Sequence, residues 1–440
     1  MLKDIKNLIR NVIPTNAYKA LAPIYHGASA YVSVGYFGSP ARDLTLIGVT
    51  GTAGKSTTVI MLAHILNQTG HRTGYITTVS SFDGRQETVN RHGLSMPGPW
   101  LLQKTLHDFG NKGCKFAIVE ATSEGLAQNR HLGMKFDGAL FTNLSPAHLD
   151  SHGGFENYRA AKARLFSELK SSGFLIVNAD DPNYEYFSNF PVRKKFGISV
   201  REDKIAQTSM PIMRAEHIQV DDALHFIVEN QKFNINITGS FNISNALLAI
   251  NAAQYLGISL AECARALQNF GTVKGRMESV ENNRDITIII DYAPEPAGME
   301  QALRAAQMIP HNKLIHVFGA TGGHRDVSKR FEFGTISAKF ADTIIITNDD
   351  VYETPPTEIA ADILKGVESL GEKKKASTVL TVLDRKEAVA KALEIAESKD
   401  LIIVTGKGSE QFLVLPGNKR IDWDEKHVIE ELLNKKPANS

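Results

Sequence analysis

Residues 48–58 read GVTGTAGKSTT and join the apolar run that ends at Ile47 to the helix-like segment VIMLAHIL. Three glycines, then a lysine and hydroxyl side chains, are typical of a phosphate-binding loop at a strand-to-helix junction. Such a loop needs a buried strand that delivers the chain to a helix N-terminus, where backbone N–H groups point at the anion. This stretch therefore predicts an α/β unit early in the chain.

The chemistry of the loop predicts a role for its residues. Glycine lets backbone N–H groups approach phosphate oxygens, Lys55 neutralises them, and the hydroxyl of Ser56 or Thr57 suits Mg²⁺. The spacing departs from the strict phosphate-loop pattern, because Val49 stands five residues before Gly54. The alternative is an ordinary strand–helix turn capped by serine, which has no need of the lysine. The residues predicted to bind nucleotide here are Gly51, Thr52, Gly54, Lys55, Ser56 and Thr57.

Strand-like apolar runs alternate with helical patterns from Leu44 onward, which predicts parallel α/β units. The runs of this first series are LTLIGVT, RTGYITT, FAIVEAT, GALFTNL and GFLIVNAD. After residue 200, DALHFIVENQKFNINITG alternates at every second residue, which predicts an antiparallel appendage. A second α/β series follows, with the runs ITIIIDYA, KLIHVFGA, DTIIITND and DLIIVTGKG.

The predicted fold class is therefore α/β, with two successive α/β domains. We expect a short N-terminal segment at 1–43, a central nucleotide-binding domain at 44–275 and a Rossmann-like C-terminal domain at 276–440. The central domain has a mostly parallel sheet with the small antiparallel appendage. The glycine-containing stretch 271–280 is the expected hinge between the two domains.

Charge and cysteine content exclude several classes of protein. The 49 basic and 48 acidic side chains leave a net charge of +1, so no global field recruits nucleic acid or an anionic membrane. Only Cys114 and Cys263 are present, too few for a disulfide framework, which indicates a cytoplasmic setting. Residues 20–37 lack full charges but include Pro23 and glycines, so we expect no membrane span. A peripheral apolar surface in residues 1–43 stays open, beside the alternative that this segment packs on the next domain.

Three side chains beyond the loop suggest metal or unusual amine chemistry. Glu120 ends the strand-like run FAIVE and His148 follows GALFTN, so both belong at the carboxyl edge of the predicted sheet. Such ligands suit Mg²⁺, although each alone is also explained as a capping carboxylate or a satisfied loop histidine. Lys162 shares an apolar helix face with Tyr158 and Phe166. Its amine either reaches out to water, which composition favours, or is chemically special.

An ordered series of motifs resembles the Mur ligase family, and most closely its UDP-N-acetylmuramoyl-tripeptide synthetase (MurE) branch. The similarity extends over about residues 44–427, and the matching motifs are GVTGTAGKSTT, EATSEGLAQNR, FTNLSPAHLDSHG, YRAAKARLF, NADDP, FNISNALLA, VKGRME, DYAPEP, VFGATGGHRD and VTGKGSE. The resemblance implies an ATP-dependent amide ligase of peptidoglycan precursor synthesis. The γ-phosphate of ATP would activate a muramoyl-peptide carboxylate as an acyl phosphate, and the amine of an amino acid would displace the phosphate. We expect a monomer.

The resemblance also implies a role for each matching residue. Lys55 would hold the β- and γ-phosphates, Ser56 and Glu120 would serve one Mg²⁺, and His148 would serve a second. Lys162 matches the lysine that this family carbamylates with CO₂, which would make it an anionic ligand of the second Mg²⁺. The implied nucleotide contacts are Asn242 and Asn245 for adenine, Arg276 for the γ-phosphate and Asp291 for the ribose. The implied donor contacts are Ser95, Pro97, Thr122 and Arg130, and the implied acceptor contacts are Asp349, Tyr352, Gly406 and Glu410.

The chain departs from the family pattern at four points. Only 43 residues precede the first predicted strand, too few for the domain with which the family grips the uridine nucleotide. Pro294 and Ser409 each replace a histidine, and Tyr352 stands where diaminopimelate-adding enzymes carry a carboxylate-binding arginine. The resemblance therefore leaves the acceptor unnamed, and Glu410 would suit the ammonium of a diamino acid. A ligase similar to folylpolyglutamate synthase, another amino-acid or polymer ligase, and a non-catalytic ATP-binding scaffold stay as alternatives.

Overall fold

The structure is a computed structural model that describes residues 15–91, 95–147, 149–201, 210–221, 223–323 and 327–434. Two large, mostly parallel sheets and two small antiparallel sheets account for the strands of these ranges. The predicted α/β class, with its mostly parallel central sheet and antiparallel appendage, is therefore confirmed. The predicted ligand His148 lies outside the described residues. The exact limits of the domains stay a prediction.

The first sheet has nine strands, and the strand that leads into the glycine loop lies at its centre. In spatial order the strands are Glu87–Val89, Ser80–Phe82, Thr73–Ile76, Phe116–Glu120, Thr45–Thr50, Phe136–Phe141, Leu169–Asn178, Lys194–Ser199 and Ile212–Arg214. The first two pairings are antiparallel and the rest are parallel. Because Thr45–Thr50 is buried on both faces, it reads as the continuous apolar run seen in the sequence.

The second large sheet repeats this design with six strands. In spatial order they are Glu278–Ser279, Thr287–Asp291, Leu401–Thr405, Leu314–Phe318, Thr343–Ile346 and Thr378–Thr381, and only the first pairing is antiparallel. The predicted appendage is the sheet Glu216–Val220, Leu224–Val228 and Gln231–Ile235. A final hairpin pairs Phe412–Leu415 with Lys419–Asp422.

Helices cover both faces of each large sheet. Those before the second sheet are Thr15–Tyr36, Lys55–Gln68, Pro99–Asn111, Ser123–Ala127, Leu149–His152, Phe155–Ser167, Tyr184–Ser188, Phe241–Tyr255 and Leu260–Gln268. Those that follow are Pro296–Met308, Ser328–Phe340, Pro356–Glu368, Arg385–Ile395 and Glu425–Asn434. Short 3₁₀ turns are Pro40–Arg42, Gly371–Lys373 and Pro416–Asn418. Each sheet therefore separates two apolar core clusters.

Local sequence explains where the better-defined helices begin. Ser259 caps Leu260–Gln268 by accepting a hydrogen bond from the Glu262 backbone N–H at 3.3 Å, and the Glu262 carboxylate accepts from the Ser259 N–H at 3.0 Å. The helix Thr15–Tyr36 shows no such signal and was not expected from the sequence, because Pro23, Gly27 and Gly35 lie inside it. Within the described ranges, no helix has both the length and the apolar content that crossing a membrane requires.

Candidate active site

In the glycine loop after the strand Thr45–Thr50, the backbone at two of the glycines leaves no room for a side chain. Gly51 has a φ of 151° and Gly54 a φ of 79°, both in the region that favours glycine. A Cβ atom on Gly51 would lie 1.9 Å from the Thr142 hydroxyl oxygen, and one on Gly54 would lie 2.2 Å from the Asn245 amide oxygen. The loop is therefore held between the central strands and the helix that carries Asn245.

Hydrogen bonds fix the loop in this position. The backbone N–H groups of Thr52 and Ala53 donate to the main-chain and side-chain oxygens of Asn143, at 2.8 Å and 3.0 Å. Lys55 folds back over the loop, and its side-chain nitrogen donates to the Thr52 carbonyl at 2.8 Å. Removal from water lowers the pKa of Lys55, while the nearby Glu120 carboxylate opposes that shift. The lysine amine thus already lies over the surface that a phosphate would meet.

Ser56 and Glu120 are brought together as the sequence predicts. The Ser56 hydroxyl donates to a Glu120 carboxylate oxygen at 2.7 Å, and Glu120 is 3% exposed. Thr78 also binds this carboxylate, through its backbone N–H and its hydroxyl, each at 3.0 Å. Sequence reasoning missed Thr78, although it ends the strand-like run RTGYITT beside Glu120 in the sheet. The predicted donor residue Ser95 contacts the Thr78 hydroxyl in turn.

Lys162 is buried beside the glycine loop, so its amine does not reach water, which was the alternative that composition alone favoured. It is 2% exposed, and its side-chain nitrogen donates to the Gly51 carbonyl at 2.6 Å. The same nitrogen lies 4.5 Å from the centre of the Tyr158 ring, whose hydroxyl is 3.0 Å from the Thr52 hydroxyl. Burial, and then the charge of Lys55, lower the pKa of Lys162 well below its usual value. The site therefore favours a neutral amine.

His152 is a further polar group here that sequence reasoning missed. Its ring nitrogen Nε2 lies 3.1 Å from the Ser123 hydroxyl, and its ring centre lies 5.4 Å from that of Tyr158. Burial lowers the pKa of His152, while the charge of Glu124 opposes that shift. The signal in the sequence is its position in FTNLSPAHLDSHG, four residues after the predicted ligand His148.

The side chains beside the phosphate loop provide oxygen ligands of the kind that Mg²⁺ takes. In the described ranges, no three or more His, Cys, Asp and Glu side chains form a group that could hold a metal ion. Ser56 and Glu120 offer a hydroxyl and a carboxylate 2.7 Å apart beside the phosphate loop. Mg²⁺ usually keeps water and phosphate oxygens and takes only one or two protein ligands. The residues present therefore fit a magnesium ion that arrives with a bound nucleotide.

The predicted nucleotide contacts lie on both sides of the loop. The Asn245 amide nitrogen donates to the Asn242 side-chain oxygen at 2.9 Å, and the Asn245 oxygen accepts from Thr58 at 3.3 Å, next to the loop. On the other side, the positive charge of Arg276 lowers the pKa of Lys55. Asp291 accepts the Met277 backbone N–H at 2.8 Å, and burial raises its pKa to about 6. The second sheet therefore faces the phosphate loop of the first.

Two of the predicted acceptor residues, Asp349 and Glu410, lie beside a lysine that was not assigned a role. The buried nitrogen of Lys407 lies 2.9 Å from Asp350, 2.5 Å from Glu410 and 3.7 Å from Asp349. Burial is the main cause of the raised pKa of Glu410. Gly406 has a φ of 112° and passes so close to Asp349 that a Cβ would lie 2.4 Å from its carboxylate. Predicted contact Tyr352 follows nearby in sequence with a φ of 51°, an uncommon backbone for tyrosine.

The predicted donor residues form a second group at the other end of the site. Arg130 donates to the Met96 carbonyl at 2.6 Å, and Met96 lies between Ser95 and Pro97. Thr122 caps the short helix Ser123–Ala127, accepting the Gly125 backbone N–H at 3.2 Å. The structure thus joins Arg130 to the Ser95–Pro97 turn, two segments that are far apart in sequence.

Comparison with protein families agrees with this arrangement. Residues 49–253 match the Mur ligase middle domain, and residues 275–408 match the Mur ligase, glutamate ligase domain. The chain is 34% identical over 408 residues to UDP-N-acetylmuramoyl-L-alanyl-D-glutamate–2,6-diaminopimelate ligase of Clostridium botulinum, covering 92% of this chain and 81% of that enzyme. It is 34% identical over 431 residues to UDP-N-acetylmuramyl-tripeptide synthetase of a Roseiflexus species, covering 93% and 81%.

Solved structures give the same result for the fold. A UDP-N-acetylmuramoyl-L-alanyl-D-glutamate–2,6-diaminopimelate ligase superposes with a TM-score of 0.58 at 26% identity, covering 89% of this chain and 78% of that one. The MurF ligase of Thermotoga maritima in complex with ADP superposes with a TM-score of 0.63 at 16% identity, covering 93% and 83%. Because the identity to the MurF structure is only 16%, that similarity supports the fold alone.

Proposed function

The chain belongs to the Mur ligase family, and from this premise we propose how the described site joins an amino acid to a muramoyl peptide. It is an ATP-dependent ligase of peptidoglycan precursor synthesis. In the first step, an oxygen of the donor carboxylate attacks the γ-phosphorus and ADP leaves. In the second step, the acceptor amine attacks the carbonyl carbon of the acyl phosphate, phosphate leaves, and the amine loses a proton.

The phosphate loop would hold ATP for the first step. We assign the triphosphate to the backbone of Gly51, Thr52 and Gly54 and to the amine of Lys55, because these groups converge at the start of a helix. Arg276 would approach the γ-phosphate from the second sheet. Asn242 and Asn245 would face adenine, Asp291 would accept hydrogen bonds from the ribose, and Thr57 would support the loop.

Mg²⁺ bound with ATP would neutralise charge that develops on the transferring phosphoryl group. Ser56 and Glu120 would hold one ion, and we propose that Lys162, as its carbamate, holds a second together with His148. In carbamylation the neutral lysine nitrogen forms a bond to the carbon of CO₂ and releases one proton. The burial that lowers the pKa of Lys162 supports this assignment, since only the neutral amine reacts.

One observation carries the functional proposal: the side-chain nitrogen of buried Lys162 lies 2.6 Å from the carbonyl of Gly51 in the phosphate loop. A buried lysine ammonium costs free energy, so this position favours the neutral amine that carbamylation requires. A scaffold that only binds ATP has no use for it. The geometry therefore favours turnover over the non-catalytic alternative.

The acceptor would enter beside Glu410, Asp349, Gly406 and Tyr352. Around Lys407 three carboxylates face one ammonium, which leaves a net negative group suited to a cationic side chain. We therefore propose a diamino acid as the acceptor. The donor would lie along Ser95, Pro97, Thr122 and Arg130. The enzyme is proposed to act as a cytoplasmic monomer with central and C-terminal domains at 44–275 and 276–440.

The test is phosphate release from ATP with Mg²⁺ and UDP-muramoyl-dipeptide, against lysine, ornithine, diaminopimelate and neutral amino acids, with product mass recorded. We expect a product heavier by one diamino acid residue. Lys55→Ala should abolish release while the protein still folds, and Lys104→Ala, on an exposed helix face, should leave release unchanged. ATP binding without release for any amine would support the scaffold, and glutamate addition to a folate would support the folylpolyglutamate-type alternative.

A further inference from the structure

The helix Thr15–Tyr36 presents apolar side chains to solvent. Its exposed large residues have 52 to 72% of their surface accessible. The spacing of three and four residues places them on one face of the helix. We call this set the apolar face, and its members are Leu21, Ile24, Tyr25, Tyr31, Val32 and Tyr36.

The opposite side of this helix is the side that packs on the protein, and it is small and partly polar. Its buried residues are Ala22, His26, Gly27, Ala30 and Ser33. A helix on a globular protein ordinarily turns its large apolar residues inward and its polar residues outward. Here the arrangement is reversed, so burial within the chain does not explain why the large apolar side chains are present.

The apolar face continues onto a neighbouring helix. Trp100 at the start of Pro99–Asn111 is 45% exposed, and its ring centre lies 4.9 Å from that of Tyr36. Leu101 beside it is 46% exposed. A contiguous exposed apolar surface of this kind marks an interaction site more often than single exposed residues do.

Charge indicates what covers this surface. Residues 1–43 contain five lysine and arginine residues against two aspartates, Asp4 and Asp43. Tyrosine and tryptophan favour the level of lipid headgroups, where an apolar ring and a polar tip are both accommodated. Basic residues near such a helix are attracted to anionic lipid. We propose that the apolar face lies in the interface of an anionic membrane and binds the protein to it peripherally.

The same helix also contacts the segment that carries predicted donor residue Arg130. The Asn129 side-chain nitrogen donates to the Pro23 carbonyl at 3.3 Å, and a Cβ on Gly133 would lie 2.7 Å from Val34. Membrane binding through the apolar face would therefore place the donor end of the active site close to the lipid surface. This inference does not depend on which amino acid the enzyme adds.

The experiment is flotation of the full chain with vesicles of phosphatidylcholine alone and of phosphatidylcholine with phosphatidylglycerol. We expect binding to the anionic vesicles, weakened by high salt because the charge contribution is screened. The variant Ile24→Ser with Val32→Ser should bind about tenfold more weakly, since it removes two large apolar groups from the interface. Met308→Ser is the matched control, because Met308 is 60% exposed on another helix.

Thermal unfolding and ATP turnover without vesicles should be the same for wild type and the double variant, because both residues point to solvent. Absence of wild-type binding to anionic vesicles would overturn the proposal. So would equal binding by the double variant. A wild-type dimer that the double variant dissociates, with no vesicle binding by either, would instead assign the apolar face to a second copy of the chain.

Discussion

A carboxylate oxygen of Glu295 lies 2.7 Å from the side-chain nitrogen of Lys329, and both side chains are largely buried. Glu295 directly precedes the helix Pro296–Met308, which packs on the second large sheet. Its negative charge nevertheless also raises the pKa of Lys55 and of Lys162, which lie beside the phosphate loop. The second domain thus brings an anionic group towards the lysines that a triphosphate would approach.

Glu295→Gln should therefore bind ATP more tightly. The substitution removes a negative charge that opposes the triphosphate and releases Lys329 from its ion pair, so we expect the Kd for ATP without Mg²⁺ to fall about fivefold. Calorimetric titration measures it. Glu300→Gln is the control, because Glu300 pairs with Arg304 on the exposed side of the same helix. An unchanged or weaker affinity in Glu295→Gln would show that Glu295 does not compete with nucleotide.

Lys162→Ala should reduce kcat by about a hundredfold or more, because the proposed anionic ligand is lost from the phosphoryl-transfer site. Small carboxylates such as acetate should restore part of the activity, and bicarbonate should not. In wild type, isotopically labelled bicarbonate should give a carbamate signal in the NMR spectrum that Lys162→Ala lacks. Wild-type turnover by Lys162→Ala would remove the carbamate from the mechanism.

Asp291 predicts a pH dependence of stability. Burial raises its pKa to about 6, against about 4 in the unfolded chain, so the folded state binds more protons between these values. Stability should therefore fall as pH rises from about 4 to about 6, by up to about 3 kcal/mol. Asp291→Asn should remove this fall, which urea unfolding across the pH range measures. Asp285→Asn, at an exposed position before the same strand, should retain it.

Lys407→Met should destabilise the second domain by about 3–5 kcal/mol, because it leaves the buried carboxylates around it without their shared cation. The free energy of unfolding in urea measures this loss. Lys391→Met is the matched control, since Lys391 and its partner Glu394 are exposed and such pairs contribute about 0–1 kcal/mol. Equal stability of the two variants would mean that Lys407 does not hold the group together.

Much of the fold could be predicted from local sequence. Buried parallel strands give continuous apolar runs, so the strands that flank the phosphate loop were found, as was the antiparallel appendage from its alternation. The helix Thr15–Tyr36 was missed because Pro23, Gly27 and Gly35 lie inside it, and such residues ordinarily interrupt a helical pattern.

The candidate site likewise has features that could be predicted from the sequence and features that only the structure shows. The amino-acid sequence by itself determined the phosphate loop, because glycine, lysine and hydroxyl residues must be consecutive to surround one anion, and it determined the family through ordered motifs. Only the tertiary structure decided that Lys162 is buried against Gly51, that Thr78 completes the Glu120 contacts, and that Lys407 is buried among Asp349, Asp350 and Glu410. Burial and charge pairing depend on groups that are distant in the sequence, so the local sequence pattern cannot predict which of these groups come into contact.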